Sequence, residues 1–284
     1  NNFKAITAML LAVLCVTIMS VQAKLVGIEY HAVQITFVRA IVVLIFLFPL
    51  IYRLGGLNFL KTNKPTLHFF RGLAGLTGNI MFFLAFQRLP VADVTVISQA
   101  VPIFSCILAI IFLKENIGWR RWIAIIIGFL GVIIAINPSG QIAVASIYAL
   151  GGTIMWSTTI IFLRLLGSTE HPVKTIFYFM LVSFIVTSFF QPFLWKAPTL
   201  EVIFLFIGIG LAAFLTQLLM TYALQKASAS IVSPFNYTGI IWAIIFDYLI
   251  WNSHPVFTTI LGGIIITISG IYIFRREAKY KKVR

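Results

Sequence analysis

Apolar runs of about 20 residues, each closed by a short polar segment, repeat from one end of the chain to the other. They predict spans at 5–23, 32–52, 67–87, 93–113, 121–136, 143–163, 175–194, 201–224, 230–250 and 256–274. Runs of this length suit helices that cross the roughly 30 Å hydrocarbon core of a bilayer. The expected fold class is therefore all-α integral membrane, with about ten transmembrane helices. No polar or low-complexity stretch is long enough for a separate soluble domain, so 1–284 reads as a single membrane domain. No small-residue cleavage site and mature domain follow the first run, which marks it as a span rather than a signal peptide.

The two halves resemble each other. Ala85-Phe86-Gln87-Arg88 recurs as Ala223-Leu224-Gln225-Lys226, a shift of 138 residues. At that shift Thr95, Ser98 and Gln99 map onto Ser233, Asn236 and Tyr237. The expected units are 1–139 and 140–284, each with five spans. A unit with an odd number of spans, repeated in tandem, inserts the second time with opposite topology. The halves should then be related by a two-fold axis in the membrane plane, the arrangement of carriers that alternate access around a midplane site.

Composition agrees with a lipid solvent. Apolar residues make up 61% and charged residues 10%, against roughly a quarter charged in soluble domains, and mean hydropathy is +1.04. A net charge of +14 would suggest nucleic acid in a soluble protein. Here its placement argues otherwise. Of 21 lysines and arginines, only Lys24, Arg88 and Lys196 fall on the side away from the termini, and Arg39 falls within a span. The remaining seventeen share the face of the termini, which predicts cytoplasmic termini and no nucleic-acid partner. Cys15 and Cys106 lie in separate spans and read as small core residues without disulfide or metal spacing.

Polar side chains inside the spans fall on helix faces. Thr95, Ser98 and Gln99 share one face of span 4 with Pro102, and Ser233, Asn236 and Tyr237 repeat the stripe in span 9 beside Pro234. Such stripes face the bundle interior, either for interhelical hydrogen bonding or to line a wet cavity. The prolines should kink their helices and free the carbonyls of Ser98 and Ser230. Candidate neighbours are Thr17, Ser20 and Lys24 in span 1, Asn79 and Phe83 in span 3, Trp156 and Thr159 in span 6, and Gln217 and Thr221 in span 8. Gly128, Gly131, Gly262, Gly263 and Gly270 mark spans 5 and 10 as closely packed scaffold. Gly72, Gly75 and Gly78 form a smooth stripe on span 3.

Arg39 lies seven residues into span 2, roughly 10 Å at 1.5 Å per residue. It either snorkels to the interface or needs an anionic partner, with Lys24 near enough to assist. Arg71 reads as an anchor on the basic face. Glu29, Asp93, Glu115, Glu170, Glu201, Asp247 and Glu277 sit at span ends or in loops, so no midplane carboxylate for proton coupling is expected. Asp93 reads as a helix N-terminal charge. His31, His68, His171 and His254 read as interfacial. No metal site, no cofactor and no enzyme centre is expected, because no acids and histidines cluster at one depth. Rings of like residues, which a channel would need, are also missing.

One ordered set of segments carries a family resemblance over nearly the whole chain. It comprises Arg71-Gly72, Leu89-Pro90-Val91-Ala92-Asp93, Pro102, Leu113-Lys114-Glu115 and Gly128-Phe129-Leu130-Gly131-Val132. The second half adds Ser233-Pro234-Phe235-Asn236-Tyr237 and Gly270-Ile271-Tyr272-Ile273 ahead of Arg275-Arg276-Glu277. This set resembles EamA-type transporters of the drug/metabolite transporter superfamily. The resemblance implies two inverted five-helix repeats and a central cavity lined by spans 1–4 and 6–9. One departure is Ser253, where the family usually has a glutamate matching Glu115. The family includes amino-acid exporters and S-adenosylmethionine carriers. The expected function is alternating-access transport of an amino acid or amino-acid derivative across a bacterial inner membrane. S-adenosylmethionine uptake or exchange is the alternative, and an organic-anion carrier a further one. The expected partners are a small-molecule solute and the lipid bilayer, with a functional monomer expected and a dimer as the alternative.

Overall fold

The computed structural model describes residues 2–114, 118–136, 141–166, 170–227 and 229–281, with no side chain described at 2, 141–143, 229, 230, 233, 274 and 276–281. Glu115 therefore lies outside the described residues, as does the side chain of Glu277. Among the described residues every element is helical. The first half contains α1 (Asn2–Val26), α2 (Ala32–Arg53), α3 (Pro65–Phe86), α4 (Val91–Ser98), α5 (Val101–Leu113) and α6 (Trp119–Ile136). The second contains α7 (Gln141–Leu166), α8 (Pro172–Ser188), α9 (Gln191–Leu194), α10 (Leu200–Lys226), α11 (Ala229–Val232), α12 (Thr238–Trp251) and α13 (Phe257–Lys281). Among the described residues seven runs are long and apolar enough to cross a membrane, with Val91–Leu113 counted as one. The other crossings are α8, α13 and the interrupted run from α11 through α12.

Helix ends repeat between the halves. Nδ1 of His31 accepts the N–H of Val33, and Nδ1 of His171 accepts that of Val173, each at 3.2 Å. Each imidazole thus satisfies one of the N–H groups that a helix start leaves unpaired. Lys114 and Asn252, 138 residues apart, end α5 and α12 in the left-handed region at φ 52° and 49°.

Packing follows the same symmetry. The pair α1–α10 has its counterpart in α7–α3, α2 packs on its equivalent α8 and α6 on its equivalent α13, and α4 of span 4 packs on α12 of span 9. An axis lying in the membrane plane produces this pattern. The scaffold pair α6–α13 is in backbone contact, since a Cβ on Gly262 would stand 2.6 Å from the carbonyl oxygen of Gly131. On α3, Gly72 and Gly75 leave room for Val182 and Phe179 of α8.

Spans 4 and 9 are interrupted at their prolines, while the backbone stays in the right-handed helical region through Gln99 and Ala100 and at Val232 and Thr238. The helix stops at Ser98 and resumes at Val101 with Pro102 in its first turn, and Ser233–Tyr237 forms a 3-10 turn beginning at Pro234's neighbour. Proline supplies no N–H to hold the preceding turn. Hydroxyls from α7 reach carbonyls at the first break: Thr153 donates to Ile97 at 3.4 Å and Ser157 to Val101 at 3.2 Å.

Candidate functional site

The two broken spans meet at the centre of the bundle. Nε2 of Gln99, where α4 ends, donates to the carbonyl oxygen of Asn236 in the opposing 3-10 turn at 3.1 Å. Around this contact lies a cavity of about 430 Å³, within the range of roughly 300–1,000 Å³ that holds small molecules.

Most of the polar residues singled out in the sequence line it. Ser20 enters from α1, Arg39 from α2, and Asn79 with Phe83 from α3. Thr95, Ser98, Gln99 and Pro102 come from span 4, Trp156 from α7 and Gln217 from α10. Pro234, Asn236 and Tyr237 complete the wall from span 9, while the side chain of Ser233 lies outside the described residues. The wall also contains residues the sequence did not point to: Phe82, Phe86, Ser105, Cys106, Thr216 and Arg164. Span 10 contributes as well through Gly270, Ile271 and Ile273, beyond the eight spans the resemblance implied. Gly270 is not part of the scaffold contact, because a Cβ there would collide with the Tyr237 hydroxyl.

The hydrogen bonds of the wall show where a solute could dock. Thr17 and Ser20 donate to the carbonyls of Val13 and Val16 at 2.9 Å, so only their oxygen lone pairs remain. Asn79 Nδ2, Ser105 Oγ, Tyr237 OH and Arg39 Nε are buried without a protein partner. Buried polar atoms are nearly always satisfied. Four such groups around one cavity favour a polar occupant. Trp156, Phe82, Phe83 and Phe86 add aromatic surface beside them.

Several expectations are corrected. Lys24 does not reach the cavity: its Nζ lies 3.1 Å from Asp247 Oδ1 and 4.0 Å above the Trp251 ring. Asp247 is buried at 1% exposure, with its second oxygen accepting the N–H of Ala92 at 2.7 Å, so it caps α4. Asp93 stands in the first turn of α4 as expected and also accepts from the Thr259 hydroxyl at 2.9 Å. Thr159 is buried and donates to Met155 of its own helix, away from the wall. Thr221 is likewise not in the lining. His68 is fully buried, stacked on Tyr178 and 3.6 Å from Glu170. Arg71 is no rim anchor, since its residue is 3% exposed and its guanidinium faces the Phe179 ring at 4.4 Å. Arg39 is buried to the same degree and faces that ring at 5.7 Å.

Ion pairs outside the spans fasten both faces. On the face away from the termini, Lys196 Nζ lies 2.7 Å from Glu29, and the hydrogen bond and charge hold that carboxyl below its usual range. On the face of the termini, burial would raise the Glu170 carboxyl. Hydrogen bonds from Thr62 and Lys174, with the Lys174 and His68 charges, outweigh burial and lower it. Among the described residues no group of three metal-ligating side chains gathers.

A model of the EamA-like transporter family matches residues 3–137 and again 143–275. The chain is 30% identical over 260 residues to an S-adenosylmethionine uptake transporter of Rickettsia bellii, covering 91% of this chain and 89% of that one. It is 26% identical over 281 residues to the pseudopaline exporter CntI of Pseudomonas aeruginosa, covering 95% and 97%. A solved crystal structure shares the fold at a TM-score of 0.66 over 97% of this chain and 98% of that chain, with 11% identity.

Proposed function

The chain belongs to the EamA-like transporter family, and from that premise we propose that it carries S-adenosylmethionine by alternating access, with the cavity between the halves as its solute site. It is a multi-pass membrane protein that transports a small metabolite. The sequence placed an amino acid first and S-adenosylmethionine as the alternative. The relative named for S-adenosylmethionine uptake, aligned over 91% of this chain, favours the alternative and is the observation that carries it.

The chemistry of the wall supports that solute. Arg39 suits a carboxylate, which its planar fork can bind bidentately. Trp156, Phe83 and Phe86 suit a flat base and a sulfonium cation, which ring faces attract. Asn79, Gln217 and Tyr237 offer directional hydrogen bonds for the amino group and sugar. In this reading the basic face is cytoplasmic in a bacterial inner membrane. The cavity reaches Met9, Arg164 and Met220, towards the helix ends on that face, which supports an inward-facing state. In this reading the solute site lies within one chain and the monomer is the functional unit.

Counterflow in proteoliposomes tests the proposal. Unlabelled S-adenosylmethionine loaded inside should accelerate entry of labelled S-adenosylmethionine, as only a carrier does. Acceleration by amino acids alone would restore the amino-acid reading. No acceleration by either would contradict transport of both.

A further inference from the structure

Arg39 on α2 and Arg71 on α3 converge on one ring, Phe179 of α8, at 5.7 and 4.4 Å. Each residue is 3% exposed. Arg39 Nε and Arg71 Nε and Nη1 are buried without a protein acceptor. No carboxylate among the described residues pairs with either. Glu170 is engaged by Thr62, Lys174 and His68, and Asp247 by Lys24 and Ala92.

Two like charges in a dry interior are costly, and a ring face offsets only part of that cost. Buried guanidinium groups are ordinarily matched by an anion. Here the described residues supply none. The location is also particular: aligning His31 with His171 makes Phe179 the counterpart of Arg39. The cluster therefore sits where α2 meets its own repeat equivalent, and Arg39 opens it to the cavity.

We propose that Arg39, Arg71 and Phe179 form an anion-binding site that takes one small monovalent anionic group, either a carboxylate or a halide. A solute carboxylate would rest on the transport reading above, whereas an inorganic anion would not. In either case Arg71, which does not line the cavity, is a positioning residue. It adds charge that holds the anion on Arg39.

Thermal unfolding of purified protein at constant ionic strength tests this, with sodium chloride or sodium acetate titrated against bulky sodium gluconate. Wild type should gain unfolding temperature along a saturating curve, and Arg39→Gln and Arg71→Gln should lose that gain. In gluconate alone, Arg71→Gln should melt at or above wild type, because it removes an unpaired buried charge; a residue needed only for packing would melt lower. A second arm adds S-adenosylmethionine or its decarboxylated analogue. Stabilisation by the first alone, absent in Arg71→Gln, would identify the solute carboxylate as the anion. A chloride response without any S-adenosylmethionine response would keep the site and sink the solute assignment. If wild type shows no saturating response to any of these anions beyond that of the variants, the site is overturned.

Discussion

Lys24 and Arg164 occupy the same place in the two halves, in Lys24-Leu25-Val26-Gly27 and Arg164-Leu165-Leu166-Gly167, yet they sit in different chemistry. At the face away from the termini, Lys24 is bound by Asp247, whose other oxygen caps α4. Thr259 ties α13 to Asp93 beside it, and Gln87 Nε2 donates to the carbonyls of Gly27 and Tyr30 at 2.6 and 2.8 Å. At the face of the termini, Arg164 lines the cavity. The position mirroring Asp247 at the 138-residue shift is Ala109. Helix caps and packing pairs repeat between the halves, and one carboxylate present on the sealed face is matched by a methyl group on the other.

The largest effect should come from breaking the sealed face. Asp247→Ala leaves the Lys24 ammonium and the Ala92 N–H without their partner. Removing one member of a buried pair costs about 3–5 kcal/mol. Thermal unfolding and transport should both fall sharply. A variant as stable as wild type would show that this carboxylate does not seal anything.

Within the cavity the contrast is with Arg39, which no acid among the described residues pairs. Loss of a charged partner in a desolvated site costs about 2–5 kcal/mol in affinity. Arg39→Ala should therefore lose nearly all uptake, and Arg39→Lys most of it while remaining folded, because lysine lacks the fork. Uptake by Arg39→Lys equal to wild type would make this residue a mere space filler.

Smaller effects should follow at groups with no protein partner to lose. Tyr237→Phe and Asn79→Ala each remove one neutral hydrogen bond to a solute, about 1 kcal/mol or several-fold in affinity. Their unfolding temperatures should stay close to wild type. A large stability loss in either would reveal a structural role instead.

The smallest effect is at Glu170, whose carboxyl is held below the ordinary 4.5 in the folded state. A lowered folded value stabilises above the unfolded value, and that stabilisation is lost as pH falls through 4.5 towards the folded value. Glu170→Gln should thus melt below wild type at neutral pH and converge with it in acid. A difference independent of pH would exclude the charge as its source.

The spans and the inverted repeat were legible because hydropathy and the Gln87/Gln225 motif are local signals. So was much of the cavity wall, since Thr95, Ser98 and Gln99 follow helical spacing. Lys24–Asp247 was not, because its partners are 223 residues apart and nothing in either segment refers to the other. Arg71 looked like a rim charge by its distance from the span end. Only the approach of α8 over Gly72 and Gly75 buries it. The repeats Lys24/Arg164 and His31/His171 run at a shift of 140, outside the 138-residue register of the later spans. Gln99 reads as a solute ligand from sequence, whereas its bond to Asn236 also joins the two breaks.

The most direct measurement uses Cys106, which lines the cavity, in a Cys15→Ser background. With the termini cytoplasmic, a membrane-impermeant maleimide should label Cys106 in inside-out vesicles, and S-adenosylmethionine should slow that labelling in a saturable way. Labelling confined to right-side-out vesicles, or labelling that S-adenosylmethionine leaves unchanged, would contradict a solute site open towards the termini.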